Sequence, residues 1–330
     1  MNSLLEIEGL NVTALVDGEQ RPLIDQLSLS IAAGEAVGLV GESGSGKSMT
    51  ARSIMRLLAK NVSATGSIHF DGRSVLDMNP KELREYRRSD VAMIFQDPRA
   101  AINPVRTVGD FLTEGLRKNT GMSKDEATTR AVDAMTTVGI HRARERMGQY
   151  PHEFSGGMLQ RVMICSTLLT QTRLLLADEP TTALDVTTQA EVVGLLDALR
   201  RDRGLGLLFI THDLDLGAAL CDRVCVMYAG RIVECRTAHD FYTHSRHPYS
   251  KALFDARPSV DQRVHRLPAI PGSPIALYDV GAACAFEPRC PFSVDACANA
   301  VPGLRNVNGG DVRCIRAEDT DTTDLVEERA

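Results

Sequence analysis

No stretch of the sequence approaches the roughly 18 consecutive apolar residues that a membrane-spanning helix needs, so no span is expected. The opening Met1-Asn2-Ser3-Leu4-Leu5-Glu6 lacks the basic region and apolar core of a secretory leader, which predicts a cytosolic address. A positive balance is missing too. Lys and Arg number 37 against 43 Asp and Glu, a net charge of −6, which argues against the broad basic surface of a nucleic-acid binder. No internal repeat is present. Cysteine is scarce in the main body, where Cys165, Cys221, Cys225 and Cys235 lie in apolar or strand-like contexts. Cys284, Cys290, Cys297 and Cys314 crowd the last fifth of the chain, and in a reducing compartment such a cluster points to a metal site or free thiols rather than a disulfide framework.

What is there suffices for one large domain and a smaller appendage in 330 residues. Alternating strand and helix patterns predict a largely parallel sheet. Strands are expected at Leu4–Val12, Gln26–Ile31, Ala36–Val40, Gly66–Phe70, Val91–Phe95, Leu174–Asp178, Leu207–Thr211 and Arg223–Tyr228. From Arg99 to about Thr170 the strand signal vanishes, and Val108–Leu116 and Lys124–Val138 read as helices of an insert. Ser123 is the expected N-cap of the second, with Glu126 at its third position. Prolines punctuate the stretch after Arg257, which sets a domain boundary there. Residues 318–330 are acidic and threonine-rich and read as a disordered tail.

The chemistry begins at Gly41-Glu42-Ser43-Gly44-Ser45-Gly46-Lys47-Ser48, which fits the P-loop pattern between a strand and a helix. Glycines let successive backbone N–H groups face one anion, and the helix N-terminus adds positive potential. Lys47 supplies a point charge to the β- and γ-phosphates, and the Ser48 hydroxyl is a Mg²⁺ ligand. Leu174–Glu179 is an apolar strand ending in two carboxylates: Asp178 to hold the metal, Glu179 to polarise an attacking water. Alone, such a strand end is more often an ordinary loop entry; beside a P-loop the functional reading wins. Gln96 and His212 each follow a strand and reach the same sheet edge, Gln96 toward metal or water and His212 toward the γ-phosphate. Either residue by itself would read as polar surface. Ser155-Gly156-Gly157 opens a helix over Met158–Leu169 and offers a second anion site, though most such sequences are simple caps.

The set Gly41–Ser48, Gln96, Phe154-Ser155-Gly156-Gly157-Met158, Leu174–Glu179, Ala183-Leu184-Asp185 and His212, in that order, resembles the ATP-binding-cassette transporter ATPases over roughly residues 4–235. Phe95-Gln96-Asp97-Pro98, Asn103-Pro104, Met227-Tyr228-Ala229-Gly230, His247-Pro248-Tyr249 and Arg289-Cys290-Pro291 narrow the likeness to the dipeptide and oligopeptide importer subfamily. The resemblance implies an α/β P-loop cassette over residues 1–257, with a parallel-sheet core, an N-terminal antiparallel β subdomain and a helical subdomain at about 99–170. A small irregular C-terminal extension over 258–317 carries the four cysteines. It implies ATP and Mg²⁺ as cofactors, with Ser155, Gly156 and Gly157 on the partner's ATP and Asp185 in the loop coupling the two sites. It also implies a second, similar ATPase subunit, with a heterodimer favoured. Two transmembrane permease subunits, an extracytoplasmic solute-binding protein acting indirectly, and a place at the cytoplasmic face of the membrane complete the expected setting. No nucleic-acid partner is expected.

Two departures stand out. Phe154 and Met158 replace the ends of the usual Leu-Ser-Gly-Gly-Gln signature, and Val12-Thr13-Ala14-Leu15 offers no aromatic residue to stack on adenine. A soluble cassette ATPase working on nucleic acid or ribosomes is the competing class; such proteins usually carry a long coiled-coil insert or two fused cassettes. A nucleotide-gated module without turnover is a third, against which Asp178, Glu179 and His212 count. Within the importer reading, nickel, glutathione or opines are alternative solutes.

Cys284, Cys290, Cys297 and Cys314 are separated by five, six and sixteen residues. Four thiolates suit a 4Fe–4S cluster or tetrahedral zinc, and unligated thiols are the third reading. Zinc favours close pairs, and none occurs among these four. The subfamily resemblance implies the iron–sulfur cluster.

Overall fold

The computed structural model describes residues 3–182, 184–256 and 269–318. The expected boundary at Arg257, Ala183 and the tail from residue 319 lie outside them. In chain order the strands are β1 (Ser3–Val16), β2 (Glu19–Ala32), β3 (Ala36–Val40), β4 (Val62–Phe70), β5 (Arg73–Ser74), β6 (Val91–Ile94), β7 (Leu174–Asp178), β8 (Gly206–Thr211), β9 (Arg223–Tyr228), β10 (Arg231–Thr237), β11 (Arg305–Val307) and β12 (Gly310–Val312). The α-helices are α1 (Lys47–Ile54), α2 (Pro80–Glu85), α3 (Pro98–Ala101), α4 (Val108–Thr120), α5 (Lys124–Thr137), α6 (Ala143–Arg146), α7 (Gly156–Leu168), α8 (Val186–Arg203), α9 (Leu214–Leu220), α10 (Ala238–His244), α11 (Pro248–Asp255) and α12 (Asp295–Asn299).

The chain divides into two compact units: Met1–Leu4, Ile31–Glu35 and Asp77–Phe209 form one, and Leu5–Ser30, Ala36–Leu76 and Ile210–Ala330 the other. In the first, β6 and β7 pair in parallel from Val91↔Leu174 to Ile94↔Ala177. All five residues of β7 are buried, the continuous apolar run expected of a strand covered on both faces. The insert supplies α4 and α5, packed through Val108, Leu112 and Leu116 and through Ala127, Ala131, Ala134 and Met135. Their spacing of three and four residues makes one apolar stripe per helix. Ser123 caps α5 with Glu126 reaching back in a capping box, as its sequence predicts.

In the second unit, β1 and β4 are antiparallel (Leu5↔Phe70, Ile7↔Ile68, Val12↔Ala64) in a sheet of order β2-β1-β4-β5. A separate run pairs β3 with β9 in parallel, then β9 with β10, β10 with β12 and β12 with β11 antiparallel. Cys225 and Cys235 lie opposite each other on β9 and β10 and are joined as a disulfide. The last strands are a finding beyond the sequence, which marked nothing regular after Tyr228 on this side. β10 carries Arg231, Glu234 and Arg236 in seven residues and so hides its strand character. Glu234 and Arg236 are fully buried and neutralise each other at 2.6 Å, while Arg236 also donates to the carbonyls of Val307 and Asn308. Strand–helix boundaries shift modestly elsewhere: α1 ends at Ile54 rather than Leu58, and β1 and β2 run on to meet the Asp17-Gly18 turn.

Candidate functional site

The phosphate loop leaves β3, whose five residues are all buried, and enters α1. Gly41 (φ 149°) and Gly46 (φ 106°) hold left-handed backbone that L side chains avoid. A Cβ at Gly41 would sit 2.1 Å from the Met227 carbonyl oxygen, so the loop closes on β9 only because this position is bare. Gly230 N–H donates to Ser45 O at 3.0 Å, tying the loop to the β9–β10 turn. Lys47 is 5% exposed, and its ammonium donates to the carbonyls of Gly41 (2.7 Å) and Glu42 (2.9 Å). Ser43 and Gly44 are exposed on the loop, Ser45 is buried, and Ser48 stands in the first turn of α1. Seven sequence-predicted residues, Gly41, Ser43, Gly44, Ser45, Gly46, Lys47 and Ser48, thus lie on one strand–loop–helix segment.

The carboxylate edge lies in the other unit. β7 delivers Asp178, 3% exposed, and then Glu179, whose φ of 46° is left-handed and therefore strained for a residue with a Cβ. Glu179 Oε2 accepts from Gln96 Nε2 at 2.9 Å and from Thr182 Oγ1 at 2.8 Å. The structure brings Gln96 and Glu179 together and adds Thr182, which sequence reasoning missed. Thr182 sits three residues past Glu179, a spacing with no motif of its own. Because the Gln96 amide nitrogen faces a carboxylate, which only accepts, its Oε1 is the atom left to meet a cation.

Ser155 is the N-cap of α7, its Oγ accepting from Met158 N–H, which makes the helix one turn-start earlier than the expected Met158. Gly156 faces open space, whereas a Cβ on Gly157 would meet Thr188 Cγ2 at 3.1 Å and Leu184 Cδ2 at 3.5 Å. The signature thus packs against the segment holding Asp185. Asp185 caps α8: Oδ1 accepts from Thr188 N–H at 3.0 Å and Oδ2 from the Thr188 hydroxyl at 2.8 Å. Those bonds hold its carboxyl below the usual range. Phe154, where the family usually has Leu, is buried and fills the same apolar role, with Arg146 over its ring. His212 is exposed at the end of β8, before α9.

Cys284, Cys290, Cys297 and Cys314 are free thiols that line one small cavity with Phe286, Pro302 and Ile315. The Cys284 N–H donates to the Cys297 carbonyl at 2.9 Å. Among the described residues, however, no group of three or more Cys, His, Asp or Glu side chains is arranged to hold a metal ion. Burial pushes the Cys290 thiol up to about 11 and those of Cys284 and Cys314 in the same direction.

Residues 24–182 match the ABC transporter family, and residues 233–297 match the C-terminal region of oligopeptide/dipeptide transporters. The oligopeptide transport ATP-binding protein OppD of Salmonella typhimurium is 46% identical over 301 residues, 91% of this chain and 90% of that protein. A putative peptide import ATP-binding protein of Brucella abortus is 43% identical over 327 residues, 95% and 97% of the two chains. Among solved structures, the dimeric post-hydrolysis state of the ATP-binding cassette MJ0796 with ADP and Pi is similar at 25% identity. Its TM-score is 0.65, over 71% of this chain and 98% of that one. The cbiO1 subunit of the Clostridium perfringens cbiONQ transporter follows at 26% identity and TM-score 0.62, over 73% and 91%. No described helix is long and apolar enough to cross a membrane. The chain belongs to the ATP-binding-cassette transporter ATPases and, within them, to the oligopeptide and dipeptide importer branch.

Proposed function

We propose that this ATPase drives uptake of dipeptides or oligopeptides through two separate membrane-spanning permease subunits. It would sit at the cytoplasmic face of the membrane, paired with a second, similar cassette, while an extracytoplasmic solute-binding protein delivers the peptide. The observation that carries the reading is likeness to peptide-import ATPases along more than nine-tenths of the chain, C-terminal region included. The cassette would comprise residues 1–257 with its helical subdomain at about 99–170, and the extension residues 258–317.

In this reading the Gly41–Ser48 backbone and Lys47 bind the β- and γ-phosphates. Ser48, Gln96 Oε1 and Asp178 offer a hydroxyl, an amide oxygen and a carboxylate, a hard-oxygen set that suits Mg²⁺. The ion supplies charge neutralisation on the phosphates when bound. Glu179 takes the proton of the attacking water, held in place by Gln96 and Thr182. His212 donates to the γ-phosphate. Ser155, Gly156 and Gly157 act on the partner's ATP, and Asp185 links the two sites. Val12-Thr13-Ala14-Leu15 offers adenine no aromatic side chain. Co-purification with the permease subunits followed by a peptide screen tests the proposal: peptides should stimulate ATP turnover. Stimulation by nickel, glutathione or opines alone would refute the peptide assignment.

We infer further, from the shared cavity and the family likeness, that Cys284, Cys290, Cys297 and Cys314 hold a 4Fe–4S cluster. The side chains as they stand do not form a ligating group, so no step of turnover is routed through it. Anaerobic purification should give a brown protein, bleached by any Cys→Ser change at the four positions but not at Cys165 or Cys221. A colourless protein with one zinc, or with no metal, would overturn this assignment.

A further inference from the structure

Two sequence features found no role in nucleotide chemistry: His247-Pro248-Tyr249 and Arg289-Cys290-Pro291. Both converge on Glu42, the second residue of the phosphate loop. The Glu42 N–H donates to the Tyr249 hydroxyl at 2.9 Å. Arg289 meets the Glu42 carboxylate with both ends of its fork, Nη1 to Oε2 at 2.7 Å and Nη2 to Oε1 at 3.0 Å. The Arg289 side chain is 5% exposed and that of Glu42 23%, so the pair is largely removed from solvent screening. Nε donates to the Pro271 carbonyl at 2.8 Å and Nη1 also to the Tyr228 hydroxyl at 3.2 Å. The guanidinium lies over the rings of Tyr228 and Phe286 at 5.7 and 5.9 Å. Such a fork, fixed on three further partners, cannot swing away from Glu42 without leaving buried donors unmet.

The electrostatic consequence follows from position. Glu42 is next to Gly41, and its own carbonyl is one of the acceptors of the Lys47 ammonium. An unpaired carboxylate there would repel a triphosphate and compete for Lys47; a paired one does neither. We propose that Arg289 is a positioning residue for ATP binding, which cancels the Glu42 charge and pins the first turn of the phosphate loop. Nucleotide affinity is thereby made to depend on the C-terminal extension. The inference rests on the phosphate-loop reading given above.

The test uses the full-length chain for Mg²⁺–ATP titration and the assembled transporter for kcat and KM, with thermal unfolding followed in parallel. Arg289→Met should raise Kd and KM for ATP about tenfold while kcat stays within about twofold. Arg289→Lys, which keeps the charge but loses the fork, should raise KM only about threefold. Glu42→Gln combined with Arg289→Met removes both charges and should return KM to within about threefold of the parent. A parental KM in Arg289→Met overturns the inference. So does a rise that the double variant fails to reverse, because packing alone would then explain it. Lys47→Ala separates the two readings. Parental affinity there overturns the phosphate-loop assignment and this inference with it. Lost affinity there with a parental KM in Arg289→Met overturns this inference alone.

Discussion

Replacing Glu179 by Gln isolates the chemical step from everything that surrounds it. Oε2 of Glu179 accepts from Gln96 and Thr182, and a glutamine can turn its amide oxygen to the same place and keep both bonds. The left-handed backbone at φ 46° is common to the two residues, so its strain cancels in the comparison. What changes is charge. Each bond drops from charge-assisted to neutral, about 1 kcal/mol apiece, so local order softens slightly. The attacking water, by contrast, loses its proton acceptor, which typically costs about 10²–10⁴-fold, or about 2.7–5.4 kcal/mol of barrier. The second effect dominates, and it falls on kcat. Phosphate release in the assembled transporter should drop by that factor while ATP is retained on a filter and the cassettes elute as a nucleotide-bound dimer. A variant that hydrolyses at near the parental rate would show that Glu179 is not the base.

Gly156→Ala places a methyl in open space, so unfolding temperature and the isolated chain's ATP affinity should match the parent while turnover in the complex falls at least tenfold; full turnover by a strictly monomeric preparation would refute the composite site. Gly157→Ala should melt below Gly156→Ala, because both make a Gly→Ala change in the same helix turn but only the Gly157 Cβ meets Thr188 at 3.1 Å; equal melting curves for the two variants would contradict that packing. With no aromatic residue near Ala14, GTP should support turnover within about an order of magnitude of ATP, and a strong ATP preference would mean that another residue stacks on the base. The Asp185 carboxyl is held below its unfolded value near about 3.9, so its cap contributes fully above that pH and fades as pH falls through the lower folded value. Asp185→Asn keeps an acceptor oxygen and should flatten this part of the acid-unfolding profile, whereas an unchanged profile would show that the charge is not what stabilises the cap.

The phosphate loop, Asp178 and Glu179 were legible because each is a local pattern: glycine spacing, an apolar strand, a carboxylate at its end. The fold class followed from the same alternation of strands and helices. β10 was not legible, because its charges satisfy one another inside the protein and a sequence window counts Glu234 and Arg236 as polar. The Glu42–Arg289 pair was not legible either, since its partners stand 247 positions apart and no periodicity links them. Thr182 and the Cys225–Cys235 pairing fall between these cases. Both are short-range, yet each needs the turn or the strand register before the partner is defined.

β12 covers the edge of β10, and the outermost strand is then the three-residue β11 with Arg305 and Asn306 on it. A chain cut after Asp255 would leave β10 with an open row of N–H and C=O groups, and Arg236 without the carbonyls of Val307 and Asn308. An exposed strand edge of that kind is a template for another chain. The terminal hairpin therefore guards the cassette against aggregation, ending the sheet on a strand too short and too polar to recruit a neighbour.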